Sequence, residues 1–349
     1  MAVSQSQSRA PIQVPCPWHR DEMQRLLDQH GQGRLPHALL FAGAAGIGKF
    51  RLAQALAQAL LCEQPRGGLA CGECGGCHLS AAGTHPDAQT LAPEPGANGI
   101  KIDQVRRLVE FAGRTAQYGG ARVALIAPAE ALNRSAQNAL LKTLEEPGRG
   151  LVLLLVSDQP SLLLPTIRSR CQQRHLSLPG RDAALEWLAP QVGERDAPAL
   201  LAAAQGAPLR ALGLQEADWF AAREQLAGQL LAVARGHASP APQAGQALAA
   251  HDPRVMAGVL YGWLARASVL AALGEQGGEG DPATVTDPKV EPLLRQLAAQ
   301  VPPARLLRAA HRVMEGRRQL LGGANPNKEL LMEQWLLVLV GVDASASGF

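Results

Sequence analysis

The stretch Gly43-Ala44-Ala45-Gly46-Ile47-Gly48-Lys49 constrains this chain more than any other. It fits G-x-x-x-x-G-K, follows the short apolar run His37 to Phe41, and opens the Ala- and Leu-rich segment Arg51 to Leu61. Strand, glycine turn and helix in that order is the grammar of an α/β nucleotide fold. Gly43, Gly46 and Gly48 let successive backbone N–H groups converge on phosphate at a helix N-terminus, and Lys49 adds a point charge. Two parts of the hydrolytic device are missing. The position after the lysine, where a Ser or Thr hydroxyl would hold Mg²⁺, is Phe50. The later apolar strand Val123 to Ile126 ends in Ala127-Pro128, and Glu130 lies beyond the proline, out of place as a strand-end carboxylate. Both losses point to a phosphate-loop fold that does not hydrolyse nucleotide. Binding of ATP or ADP without hydrolysis stays open, as does a loop that merely turns a strand into a helix.

Further short strands are expected at Ala88 to Leu91, Arg122 to Ala127, Leu151 to Val156 and Gln173 to Leu176. Helical patterns fall between them: Lys101 to Ala112 with a stripe of Ile102, Val105, Leu108 and Val109, then a helix capped by Asn133 or Ser135 and stopped at Pro147-Gly148. Alternation of this kind predicts a doubly wound, five-stranded parallel sheet. From Pro179 onward no buried strand is apparent. The expected organisation is a flexible lead-in over 1–17, an α/β domain over 18–178, a small three-helix domain over 179–214, and an all-helical domain over 215–349. A Gly, Pro and acidic loop near 274–288 interrupts the last of these.

Six cysteines stand at positions 16, 62, 71, 74, 77 and 171. The spacing Cys62-x8-Cys71-x2-Cys74-x2-Cys77 supplies four thiols, and Gly72, Gly75 and Gly76 let the segment fold tightly around an ion. Four thiolates make a closed tetrahedral site for structural zinc, with no open position for chemistry. His78 and His85 are nearby alternatives, an iron–sulfur cluster is a rival occupant, and free surface thiols are the plain alternative. Cys16 and Cys171 have no partner spacing. The formal charge of +3 excludes a histone-like nucleic-acid wrapper, and 3% aromatic residues are too few for a stacking surface. Arg outnumbers Lys 28 to 5. The longest apolar stretches, such as Leu151 to Val156 and Leu336 to Val340, are expected to fall far short of a membrane span, and the amino terminus has no apolar signal core. A cytoplasmic protein without membrane contact is expected.

Four stretches together carry a resemblance: GRLPHALLFAGAAGIGK, the cysteines inserted after the phosphate-loop helix, NALLKTLEEP from Asn138 to Pro147, and PTIRSRC from Pro165 to Cys171. They resemble the bacterial DNA polymerase III clamp loader, an AAA+ assembly that opens the sliding clamp and places it on primed DNA. The likeness covers about residues 18 to 214 well and reaches the tail more loosely, where NPNKELLMEQWLL is similar to the family's last helices. It implies an AAA+ core over 18–178 with a zinc module at 62–77, a lid over 179–214, and a collar over 215–349 that joins the subunits of a hetero-oligomer. The family's motor subunits, tau and gamma, keep the Ser/Thr and the acidic pair that this chain lacks. The chain therefore looks like the delta-prime type, the rigid stator that offers an arginine to ATP bound by a neighbour. The matching residue is Arg170 of Ser169-Arg170-Cys171. With less weight, Ser157 matches a strand-end sensor and Arg210 a lid sensor, while Lys142 is a candidate phosphate or DNA contact beside the core residues Leu140, Leu141 and Leu144. The implied partners are tau/gamma, the clamp-opening delta subunit, the sliding clamp and, through the complex, primed DNA. Two other readings stand beside this one. An ATP-hydrolysing motor subunit is opposed by Phe50, and a zinc-dependent nucleic-acid-binding module by the near-neutral charge and few aromatics.

Overall fold

In the computed structural model the aliphatic run Leu151–Ser157 is a central strand with every residue buried. The structure describes residues 12–95, 97, 99–118, 120–216, 219–236, 253–274, 289–321 and 327–340. Residues 1–11 of the expected lead-in and 275–288 of the expected loop lie outside that set. The chain divides into two units, Met1–Leu178 and Pro179–Phe349.

In the first unit the elements run α1 (Arg20–Gly31), β1 (Ala38–Ala42), α2 (Lys49–Leu61), α3 (Gly75–Ala81), β2 (Ala88–Leu91), α4 (Ile102–Ala112), β3 (Arg122–Ile126), α5 (Arg134–Glu145), β4 (Leu151–Ser157), α6 (Pro165–Arg168) and β5 (Gln172–His175). The strands form the expected five-stranded sheet, in the order β2-β3-β4-β1-β5, with every pair parallel. Alternate residues of the same strands serve opposite faces. Leu40, Ile126, Leu153 and Leu155 meet Val105, Leu108, Leu140 and Leu144 of α4 and α5. Leu39, Phe41, Leu154 and Val156 meet Met23, Leu26, Leu52 and Leu56 of α1 and α2. Strands covered on both sides must be apolar throughout, which is why β1, β3 and β4 read as unbroken aliphatic runs. Each large side chain so buried is worth about 1.5–3 kcal/mol. The edge strands β2 (AQTL) and β5 (QQRH) are polar, which discourages pairing with another chain.

Local signals set the helix ends. Asn133 Oδ1 accepts from Ala136 N at 2.8 Å and caps α5. Lys101 N donates to Gln104 Oε1 at 2.9 Å at the start of α4. The other end of α4 is held by Arg122, which is 2% exposed. Its Nη1 donates to Phe111 O at 2.9 Å and Ala112 O at 2.6 Å, and its Nη2 to Arg149 O at 3.1 Å. A cation there meets the negative end of the helix.

The second unit holds α7 (Arg181–Val192), α8 (Ala197–Ala203), α9 (Pro208–Glu216), α10 (Trp219–Ala234), α11 (Pro253–Leu273), α12 (Glu291–Gln300), α13 (Pro303–Leu321) and α14 (Lys328–Leu337). No strand occurs among its described residues. One buried cluster runs from Ala184 and Leu188 through Leu230, Trp263 and Leu306 to Trp335. The sequence reading missed one stretch: Met256–Leu273 is long and apolar enough by composition to cross a membrane. Gly262 and Arg266 interrupt it, so counting unbroken runs passes it by. Met256, Leu260, Leu264 and Ala267 of that stretch lie in the core of this unit, and Arg266 pairs with Glu291 at 2.9 Å.

Candidate phosphate loop, metal centre and surface arginine

The phosphate loop leaves the carboxyl end of β1 and turns into α2, the edge of an α/β sheet where ligands bind. A Cβ on Gly43 would stand 2.2 Å from Leu176 O, so only glycine lets the end of β5 approach. Gly46 and Gly48 have φ of 79° and 97°, the left-handed region that glycine enters without penalty. Lys49, the first residue of α2, is folded back upon this loop. Its Nζ donates to Gly43 O at 2.9 Å and Ala44 O at 2.6 Å, and lies 2.5 Å from Asp158 Oδ1. An ammonium has three donors, and all three are taken inside the chain. Phe50 turns outward and is 39% exposed.

Neighbouring residues close the loop further. Trp18 Nε1 donates to Ile47 O at 2.8 Å. His19 is buried, and burial, with the Lys49 charge adding to it, pushes its pKa down to about 4. Ser157 ends β4 level with Ala42 of β1, and its Oγ accepts from Gln159 N at 3.1 Å. Glu130 does not stay clear of the strand ends as its position past Pro128 suggests. The turn Ala129–Ala131 swings it back, so that Oε1 accepts from Asp158 N at 2.9 Å. Asp158 itself escaped the sequence reading. Its signal was an acidic residue directly after a buried strand, at the edge where the loop lies.

The cysteine segment contains a short helix, α3, that the spacing of its cysteines does not announce. Cys74 caps that helix, its Sγ accepting from Cys77 N at 3.4 Å. The sulfurs of Cys62, Cys71, Cys74 and Cys77 all lie within 4.8 Å of one another. Cys62 and Cys74 are 3.8 Å apart and Cys71 and Cys77 3.9 Å. Four thiolates held at about 2.3 Å by one ion stand about 3.8 Å from each other, so the donors fit a closed tetrahedral metal site. Backbone N–H groups point at every sulfur: Cys71 N at Cys62, Glu73 N and Cys74 N at Cys71, Cys77 N at Cys74, and Gly72 N at Cys77. The Glu73 N–H contributes most to lowering the Cys71 pKa to about 6, whereas burial raises that of Cys77. Neither histidine joins the cluster among the described residues. His78 is exposed, and His85 Nδ1 accepts from Asp87 N at 3.0 Å. A Cβ on Gly76 would stand 2.5 Å from Leu61 O, so this glycine lets α3 reach the end of α2. Cys16 and Cys171 are buried elsewhere and, like the four, form no disulfide.

Arg170 lies between α6 and β5 with its side chain 35% exposed. Its Nη2 is 2.5 Å from Glu145 Oε1, and its Nη1 donates to Thr166 O at 3.1 Å. On α5, Leu140 and Leu144 are core, Leu141 packs against them, and Lys142 is exposed. Arg210 belongs to α9 of the second unit. Its guanidinium presses on α11 so closely that a Cβ on Gly258 would stand 2.5 Å from Nη2.

Comparison with known proteins adds the following. Residues 18–179 match the family described as DNA polymerase III, delta subunit, and residues 217–340 match DNA polymerase III, delta subunit, C terminal. The DNA polymerase III subunit delta' of Pseudomonas aeruginosa is 39% identical over 310 residues, covering 88% of this chain and 92% of that protein. The corresponding subunit of Escherichia coli is 39% identical over 324 residues, covering 92% and 94%. The tau subunit of Escherichia coli is 38% identical over 144 residues, 41% of this chain and 22% of tau. Among solved structures, a gamma-subunit-related protein of Thermotoga maritima aligns with 91% of this chain and 97% of its own, at 16% identity and a TM-score of 0.45.

Proposed function

The chain belongs to the DNA polymerase III delta-prime family, and on that premise we propose that it is the non-hydrolysing stator of a clamp loader. In this reading Arg170 reaches the ATP held by a neighbouring tau/gamma motor subunit while the assembly, with a clamp-opening delta subunit, loads the sliding clamp on primed DNA. An arginine supplied in trans stabilises charge developing on the terminal phosphate and ties hydrolysis to subunit packing. The observation that carries the reading is Arg170: it holds a partly exposed guanidinium at the surface. Phe50 and the Ala127-Pro128 strand end support the non-hydrolysing half, since neither offers a ligand for Mg²⁺.

The remaining parts take supporting roles. The cysteine centre holds zinc and locks the segment 62–77 into one shape. Residues 179–214 act as a lid in which Arg210 is the sensor-like residue, and 215–349 as a collar for the other subunits, in the cytoplasm. Tyr261, Val269 and Leu273 of α11 are exposed apolar residues, which suits an apolar contact between collars. The test is reconstitution with the motor subunits, the clamp-opening subunit, clamp and primed DNA. Arg170→Ala is expected to preserve assembly and slow the one site it serves by roughly 10³-fold. Unchanged DNA-stimulated turnover and clamp loading would mean that the finger is misassigned.

A further inference from the structure

Glu145 is the last residue of α5, and its carboxylate sits where the helix presents its own negative end. Two negative features at one point favour a cation, and Arg170 supplies it at 2.5 Å. The same guanidinium is anchored on its other nitrogen by Thr166 O of α6. Arg170 is therefore pinned between the ends of two helices. A guanidinium already paired with a carboxylate offers a weaker positive field to a phosphoryl group. A carboxylate left in place would also repel the charge that builds there. Resting on the reading of Arg170 as a finger, we propose that Glu145 is a latch: it holds the guanidinium back until a neighbour's phosphate displaces it.

Such a latch must be weak enough to open, and this one is. Glu145 is 49% exposed and Arg170 35%, and a solvent-exposed ion pair shifts an equilibrium by no more than about five-fold. The terminal phosphate carries more charge than one carboxylate and accepts the guanidinium fork through two oxygens, so it wins the exchange once the subunits close. Glu145 acts through Arg170 and is a positioning residue, not a catalytic one.

The experiment compares Glu145→Gln, Glu145→Asp, Arg170→Ala and the double variant Glu145→Gln/Arg170→Ala in the fully assembled clamp loader. ATP turnover is read with and without primed DNA and clamp, and thermal melting checks each fold. Glu145→Gln is expected to raise turnover without DNA roughly two- to five-fold while leaving the DNA-stimulated rate nearly unchanged, so that the stimulation ratio falls. Glu145→Asp keeps the charge and stays near the native ratio. The double variant matches Arg170→Ala alone. An unchanged or lowered DNA-free rate in Glu145→Gln, with Arg170→Ala slow, overturns the latch and leaves the finger standing. Unchanged turnover in Arg170→Ala removes the finger and the latch with it.

Discussion

The phosphate loop and the cysteine module sit at the two ends of α2 and use the same backbone devices, yet they aim their chemistry in opposite directions. Both rely on glycines for close approach, and both gather backbone N–H groups near a helix start. In the loop, the one side chain fit to meet phosphate is turned inward, where Asp158 and two loop carbonyls satisfy Lys49. In the module, four sulfurs, each met by a backbone N–H, lie within 4.8 Å of one another, a spacing that fits one bound cation. A site whose polar groups satisfy one another needs no ligand to fold. A site that gathers four thiols gives up their protons when it takes one cation, so it gains its stability from a ligand.

The difference can be broken most forcefully at the module. The purified chain is expected to contain one equivalent of zinc by metal analysis. Chelation, or Cys71→Ser, should cost about 4 kcal/mol, the stabilisation given by free metal at a thousand-fold excess over Kd. A chain that melts at the same temperature after stripping would put the module on the self-sufficient side with the loop.

The next effect belongs to the loop and reads its closure through His19, whose pKa of about 4 follows from burial and the Lys49 charge. Above pH 6.5 the ring is neutral in both folded and unfolded chains. Between about 6.5 and 4 only the unfolded chain takes up the proton, so stability falls as pH falls, by up to roughly 3 kcal/mol. His19→Phe should remove that part of the slope in denaturant titrations across this window. A slope equal to that of the native chain would mean that His19 is not shut in beside Lys49.

The smallest effect is expected at Phe50, whose ring is turned outward. Phe50→Thr restores the hydroxyl that a working loop carries. It should change stability by no more than about 0.5 kcal/mol and yield no ATP turnover in phosphate-release assays. Lys49 remains tied to Asp158, and β3 still ends at Ile126 with Ala127, not a carboxylate, after it. Turnover in this variant would show that one missing hydroxyl separated the loop from activity.

Much of the first unit was legible because a parallel sheet covered on both faces must be written in aliphatic runs. Leu151 to Val156 and Arg122 to Ala127 announce β4 and β3 to within a residue. The four metal-fitting cysteines were legible from spacing alone. Helix α3 was not: GGCHLSA has two glycines and no apolar period, and its start is made by a thiol cap. Contacts between remote segments were hidden for a different reason. Lys49 and Asp158 are 109 positions apart, and nothing local to either predicts the other. Glu145 lies within NALLKTLEEP, but only the folded chain brings α5 and α6 together around Arg170. Nothing in the sequence marks Arg122, the first residue of β3, as buried; the fold buries it because its partners are carbonyls at the end of α4.

The strand order has a consequence for how such a subunit can change over generations. The cysteine module feeds β2 and Arg170 precedes β5, the two outer strands of the sheet. At about 4.8 Å per ladder step these strands are roughly 19 Å apart, beyond the range at which substitutions normally couple. Three buried strands stand between them. Substitutions in the cysteine module and at Arg170 should therefore combine additively, so that one edge of the sheet can vary without constraining the other.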